Sequence, residues 1–368
     1  MNADELPWLI ALTQVPHIGP VHARQLLQHK GSAKDIFRSS RRELESIPGI
    51  GSVRAQNVRQ WKDFAQAEKE IRFMEKYRIK ALVMGDPEYP QRLLHCYDAP
   101  VLLYYRGSAL LNNQKTISII GTRTPAEYGK DRVRDLLLSL APHAPLILSG
   151  LAYGIDTLAH KHALKNGLET VGILAHGLDR IYPQANKGLA REMMEQGGLL
   201  TDFPSGTNPD AVNFPRRNRI VAGMSDAVIV VETGIKGGSM ITASLAGGYN
   251  REVFALPGRI TDPKSEGCHV LISQHQAQLL HDPAQVAESL NWDRPGMVSN
   301  RQAELQLVHL GETEKAVLEY IRDKVSASLD EIQQHADYPP GETAGILLSL
   351  EMHHLIVPLP GKRYRIRG

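Results

Sequence analysis

The chain is poor in cysteine. Cys96 and Cys268 are its only two, far apart and outside any CxxC spacing. That excludes a disulfide framework and a cysteine-based zinc site, and it suits a reducing cytosol. A dominant charge is missing as well: 42 Lys and Arg stand against 40 Asp and Glu, a formal net charge of +2 over 368 residues. Whole-chain attraction to nucleic acid is therefore absent, and an anionic ligand has to be held by local clusters of Arg and Lys. No apolar run is long enough for a membrane-spanning helix. The start, Met1-Asn2-Ala3-Asp4-Glu5, lacks the basic region and apolar core of a signal peptide. The expectation is a cytoplasmic protein that engages no membrane.

Several chemical signatures are missing too. There is no GxGxxG followed by an acid, no GxxxxGK[ST], no HExxH and no G-x-S-x-G frame. A standard dinucleotide site, a P-loop, a zincin site and a nucleophile elbow are all disfavoured. His160 and His162, two apart on one helix, face different sides and make a poor metal pair. No metal, cofactor or catalytic residue is expected.

What is present is a regular alternation of strand and helix. At 42% apolar and 22% charged residues, the composition is that of a globular protein of two or three domains. Leu146-Ile147-Leu148 reads as a strand buried on both faces, Ser149-Gly150 as a turn, and Gly154-Ile155-Asp156 as the opening of a helix. Such a turn aims free backbone N–H groups at one place outside the sheet, a place suited to phosphate. An unliganded strand-to-helix connection is the alternative. Further strands are expected at 81–84, 101–105, 117–120, 170–174, 198–201, 227–231 and 253–256. Helical patterns fill 128–140, 155–166, 185–196 and 239–249. This predicts a mostly parallel sheet of right-handed βαβ units, with ligands bound outside the carboxyl ends of the strands.

The residues just after the strands are the candidate site. Gly121, Thr122 and Arg123 come after the first strand of the alternation, and Ser149 and Gly150 after the second. His176-Gly177-Leu178-Asp179 come after the third. Phe214-Pro215-Arg216-Arg217-Asn218-Arg219 come after the fourth and read as a charged turn. Gly238 and Ser239 come after the fifth. Arg123, Lys187, Arg216, Arg217 and Arg219 would form a basic track for a nucleic-acid backbone. Ser149, Gly150, Gly238 and Ser239 would hold a phosphate by N–H and O–H donors. Phe214 could stack on a base or anchor its loop in the core, and Asn218 could bond a base edge or fix the loop. A solvated charged turn, or arginines paired to Asp226 and Glu232, is the competing explanation for residues 216–219.

The flanks differ in character. Residues 1–70 read as helical, with two glycine punctuation marks, Pro16-His17-Ile18-Gly19-Pro20 and Pro48-Gly49-Ile50-Gly51-Ser52, each with an arginine shortly after it, Arg24 and Arg54. These resemble helix-hairpin-helix motifs, whose backbone N–H groups contact phosphate, although a purely structural helical module fits as well. Residues 71–290 form the expected sheet domain and 291–309 a linker. Residues 310–368 have three helical patterns and a hairpin, the layout of a winged helix. Glu342 and Glu351 on its third helix favour a protein contact over a DNA groove.

Taken together, Gly121-Thr122-Arg123, Ser149-Gly150-Leu151-Ala152, Gly154-Ile155-Asp156, Gly177-Leu178-Asp179 with Tyr182-Pro183, Phe214 through Ile220, and Gly238-Ser239 with Val253 through Gly258 strongly resemble the bacterial DNA-processing DprA (Smf) family. The resemblance covers residues 1–290. It implies an extended Rossmann-like domain that binds single-stranded DNA, forms homodimers and loads the RecA recombinase during natural transformation, without turnover chemistry. His176 stands where the family usually has Gly, and Gly247-Gly248 near a usual Glu. The rival function is a phosphoribohydrolase-like enzyme on a related sheet. Its PGGxGTxxE motif is only partly matched by Glu232-Thr233-Gly234-Ile235-Lys236-Gly237-Gly238-Ser239, which lacks the Pro and the downstream Glu needed for acid–base work.

Overall fold

The computed structural model describes residues 3–292, 311–324, 327–336, 338–353, 355–359 and 363–366. Two compact units result, Met1–Asp293 and Arg294–Gly368. The expected linker falls largely in 293–310, which lies outside the described residues.

The first unit is built on a nine-stranded sheet: β1 (Lys80–Val83), β2 (Leu102–Gly107), β3 (Thr116–Ile120), β4 (Leu146–Ser149), β5 (Thr170–Ile173), β6 (Gly197–Thr201), β7 (Ala227–Val230), β8 (Glu252–Ala255) and β9 (Gln278–Leu279). Their spatial order is β1-β2-β6-β5-β4-β3-β7-β8-β9. From β6 to β9 all neighbours are parallel, while β1 and β2 add an antiparallel edge. Alternation of side chains explains the continuous apolar runs. Leu146 and Leu148 pack on one face with Ile220, Val228 and Ala243. Ile147 packs on the other with Ile119, Val133 and Ala159.

Helices cover the sheet and one of its edges. The amino-terminal six are α1 (Leu6–Gln14), α2 (Pro20–Lys30), α3 (Ala33–Arg38), α4 (Arg41–Glu45), α5 (Ser52–Gln60) and α6 (Phe64–Tyr77). They share a core with Val101, Leu102 and Tyr104 of the sheet edge. A boundary at residue 70 falls inside α6. Glu70, buried on that helix, accepts the Ser205 N–H at 3.0 Å and also the Ser205 hydroxyl, which ties the helices to the loop after β6. Over the sheet lie α7 (Gln91–Leu94), α8 (Glu127–Leu140) and α9 (Ile155–Lys165). Beyond them come α10 (Lys187–Glu195), α11 (Asn213–Gly223) and α12 (Gly238–Gly248).

The chain winds outward from β3 in both directions. It runs β3, β4, β5, β6 to one side and β7, β8, β9 to the other, so the strand order reverses at β3. That reversal opens a crevice at the carboxyl ends of β3, β4 and β7.

One local expectation is corrected. Residues 216–219 are not a turn; they lie within α11. Helical periodicity of about 100° per residue therefore sends neighbouring arginines to different faces. The acids expected to pair with them have other partners. Asp226 takes a bidentate bond from Arg92 at 2.6 and 2.7 Å, and Glu232 accepts the Ala126 N–H at 2.9 Å.

The second unit holds helices Glu312–Asp323, Leu329–Ala336 and Pro340–Met352 around Val317, Ile321, Ile332, Leu347 and Leu350. Three short antiparallel strands complete it, β10 (Ala327–Ser328), β11 (Ile356–Leu359) and β12 (Arg363–Ile366), in the order β10-β12-β11. This is a winged-helix layout with one strand more than the sequence suggested.

Candidate nucleic-acid interface

A cavity of about 350 Å³ opens at the crevice. Gly121, Thr122 and Arg123 reach it from the loop after β3, Gly150 and Asp156 from the β4–α9 connection and the first turn of α9, Phe214, Arg217 and Asn218 from α11, and Thr233, Gly237, Gly238 and Ser239 from the β7–α12 connection and the first turn of α12. Four chain segments that are remote in sequence thus build one wall each.

The backbone is locked where it meets the cavity. Thr122 N–H donates to Glu232 O at 2.7 Å, and Ile155 N–H donates to Thr122 O at 3.1 Å. Gly154 has φ +79°, and a Cβ there would lie 2.3 Å from Thr122 O. Only glycine lets the β3 and β4 connections close so tightly. Gly150 serves a different purpose. A Cβ on it would come within 2.4 Å of Asp156 Oδ2 and 2.5 Å of Arg217 Nη1. Its bare backbone lets a carboxylate and a guanidinium pack directly over the turn.

Buried charge forms the floor. Arg217 and Asp156 are both below a tenth exposed. Arg217 donates to Ile173 O, and Asp156 accepts the Ala152 N–H at 3.3 Å. Burial pushes the Asp156 carboxyl up and the Arg217 guanidinium down, and each one's charge opposes the other's shift. Behind them His160 is fully buried, with Nδ1 2.7 Å from Thr170 Oγ1 and Nε2 2.7 Å from Gly150 O. Burial pulls its pKa down to about 4, so the ring is neutral at pH 7 and acts as packing. Ser149 is buried too; its hydroxyl donates to Ile119 O at 2.6 Å and fastens β4 to β3 rather than facing the cavity.

The rim is cationic and aromatic. Arg123 is exposed, with its guanidinium carbon 5.3 Å from the Phe214 ring centre, and that of Arg217 lies 5.9 Å from the same ring. Phe214 is half-buried and meets Tyr182 edge-on, with ring centres 6.2 Å apart. The far wall is the start of α12, whose N-cap Gly237 supplies no side-chain cap. Its first-turn N–H groups and dipole favour an anion. The Ser239 hydroxyl, in contrast, is used internally, donating to Thr233 Oγ1 at 2.7 Å.

Of the residues singled out from the sequence, nine line the cavity: Gly121, Thr122, Arg123, Gly150, Phe214, Arg217, Asn218, Gly238 and Ser239. Four do not. Ser149 is buried between β4 and β3. Lys187, the first residue of α10, lines a separate groove. Arg216 points elsewhere, 5.2 Å from the Phe203 ring centre. Arg219 is buried in an ion pair with Asp202 and donates to Asp98 O, a structural role on the opposite side of α11. Sequence reading missed Thr233 and the floor role of Asp156. Asp156 stands inside a motif that carried the resemblance, and Thr233 inside the segment weighed against the phosphoribohydrolase motif. His176 is buried with Nδ1 2.9 Å from Gly177 O and is not part of the cavity lining. Among the described residues no cluster of His, Cys, Asp and Glu could hold a metal ion, and no helix is long and apolar enough to cross a membrane.

Comparison with known proteins decides the family. The model for DNA recombination-mediator protein A matches residues 80–291. The chain belongs to this family. Residues 9–60 match a SAM-like helix-hairpin-helix tandem, and 301–362 match a DprA winged helix domain. Protein Smf of Synechocystis sp. is 30% identical over 403 residues, covering 100% of both chains. Protein Smf of Escherichia coli is 38% identical over 296 residues, 78% of this chain and 77% of that one. The X-ray structure of Streptococcus pneumoniae DprA superposes with a TM-score of 0.66 at 32% identity, covering 77% of this chain and 97% of that one. A Helicobacter pylori DprA structure, described by its single-stranded DNA binding mode, gives a TM-score of 0.54 at 32% identity, covering 59% and 97%.

Proposed function

We propose that this family member is a recombination mediator that binds single-stranded DNA in the switch-point cavity and carries out no turnover chemistry. The convergence of Arg123, the Phe214 ring and the open start of α12 on one cavity carries the reading. The first offers charge to a phosphate, the second a face for a base and the third backbone donors, the combination that sequence-tolerant single-strand binding uses. The single-stranded DNA binding mode of the Helicobacter pylori relative supports the same ligand. Loading of RecA during natural transformation, self-association through the sheet domain and a cytoplasmic location complete the proposal; they rest on family resemblance. The phosphoribohydrolase reading finds no support in the β7–α12 connection. Its one acid, Glu232, is buried and caps the start of α8 rather than facing the cavity.

Gel-shift titration of single- against double-stranded DNA over a range of salt tests the proposal. Binding should favour the single strand, and log affinity should fall with log salt by about 0.7 per phosphate neutralised. Equal affinity for the two forms overturns it, as does release of free base from nucleoside monophosphates.

A further inference from the structure

We propose that the groove beside α10 is a second backbone subsite for the same DNA strand, reached from the cavity across Tyr182; the proposal rests on the single-strand reading above. The groove has a volume of about 530 Å³. Arg106 on β2 and Lys187 and Arg191 on α10 line it. None of the three side chains makes a hydrogen bond or ion pair among the described residues. A fourth cation, Arg180, is cancelled locally: it pairs with Asp179 at 2.8 Å. Asp179 also accepts the Gly206 N–H at 2.9 Å, so the one carboxylate lining the groove is already engaged. Three uncompensated cations thus face one trough whose floor includes Ile181 and Met194. A protein that only needed solubility would gain nothing by gathering like charges around an apolar floor, whereas a polyanion carrying flat bases matches both.

Continuity with the cavity is explicit. Tyr182 lines the groove and is 45% exposed. Its ring meets Phe214 of the cavity edge-on. The two troughs are also held in fixed relation. Asn186, just before α10, donates to Leu151 O at 2.9 Å and to Thr157 Oγ1 at 2.8 Å, joining the start of α10 to the β4–α9 connection. A strand seated on Arg123 and Phe214 can therefore run over Tyr182 and lay its next phosphates on the α10 cations without any rearrangement of the protein.

The test is length dependence with the full chain. Oligothymidylates of about four and about sixteen nucleotides, the extremes of common single-strand site sizes, serve as probes. Arg106→Ala/Arg191→Ala should weaken the long probe by about tenfold at low salt and reduce its salt slope by about 1.4, two phosphates' worth. The short probe should bind as to wild type, with an unchanged melting temperature. Lys187→Ala/Arg191→Ala, which alters only exposed positions on α10, should repeat the pattern if the loss of Arg106 disturbs β2. Arg123→Ala should instead weaken both lengths. Wild-type affinity and slope for the long probe in both double variants overturn the second subsite, and so does an equal loss for short and long probes. Wild-type protein that binds neither length removes the cavity reading and this one with it.

Discussion

The amino-terminal hairpins and the sheet cavity are made of the same parts and differ in what their arginines do. Each has a glycine turn opening a helix without a side-chain cap: Gly19 before α2, Gly51 before α5 and Gly237 before α12. In the hairpins the guanidinium groups are spent on carbonyls. Arg54 donates to His17 O and Gly49 O, both at 3.2 Å, and so ties the two hairpins to each other. Arg59 donates to Phe37 O and Ser39 O, and Arg24 to Cys96 O and Leu94 O. In the cavity the Arg123 side chain makes no hydrogen bond or ion pair among the described residues, and its guanidinium lies against the Phe214 ring. A guanidinium carries five donors in a fixed fork. Once the chain's own carbonyls take them, the residue is an internal strut; left free at a cavity rim, it keeps its donors available to a ligand.

Five substitutions press on that contrast. The largest effect should come from Arg217→Ala. It leaves Asp156 buried without its cation and should lower folding stability by roughly 3–5 kcal/mol while abolishing binding. Urea unfolding reads the first loss and gel shift the second; wild-type stability would show that the cavity floor does not depend on this charge. Next is pH. The unfolded chain takes up a proton at His160 near pH 6.5, but the folded one refuses it until about pH 4. This contribution is fully present above pH 6.5 and is lost as pH falls toward 4, about 3 kcal/mol in all. A His160→Gln protein should show a correspondingly flatter acid limb in urea titrations at stepped pH, and an unchanged limb would assign the titration to another group.

Phe214→Ala should cost about 1–3 kcal/mol of single-strand affinity with the salt slope nearly unchanged, if its ring stacks on a base. A falling melting temperature with intact affinity would make it a core anchor instead. The smallest effects sharpen the comparison most. Arg123→Ala should lower the salt slope by about 0.7 and leave melting untouched. Arg54→Ala should do the reverse, losing about 1 kcal/mol of stability per broken hydrogen bond with single-strand affinity intact. If Arg54→Ala weakens binding as much as Arg123→Ala, the hairpins are an interface after all.

Much of the fold and part of the site are legible in the sequence. The apolar runs around Leu148 and Val228 announce strands covered on both faces, and the glycines after β3 and β4 mark the end of the sheet where the cavity opens. The arginine cluster is the hard case. As a line of characters, residues 216–219 look like one patch. Wound into α11, Arg217 turns to the floor, Arg219 to Asp202 and Arg216 outward over Phe203. Ile220-Val221-Ala222, an apolar run directly behind the charges, is buried with Arg217 and Arg219 in α11 but is too short to announce a helix by itself. Ser149 misleads for a related reason. A hydroxyl at a phosphate-type turn looks like a donor to a ligand, and nothing local to the sequence says that Ile119 O lies 2.6 Å from it. Short edge strands such as β9, two residues long, carry no periodicity to read.

The reversal of strand order at β3 also sets when the cavity is complete. Cavity walls come from residues 120–123, 150–156, 214–221 and 233–242. A chain emerging amino-terminus first builds the helical region early, yet the cavity stays incomplete until α12 has been synthesised and β7 has inserted beside β3. Nascent chains interrupted before that point carry the cations without the cleft that aims them. The cavity proposed above to hold DNA is therefore acquired late, when the last strand beside the centre closes.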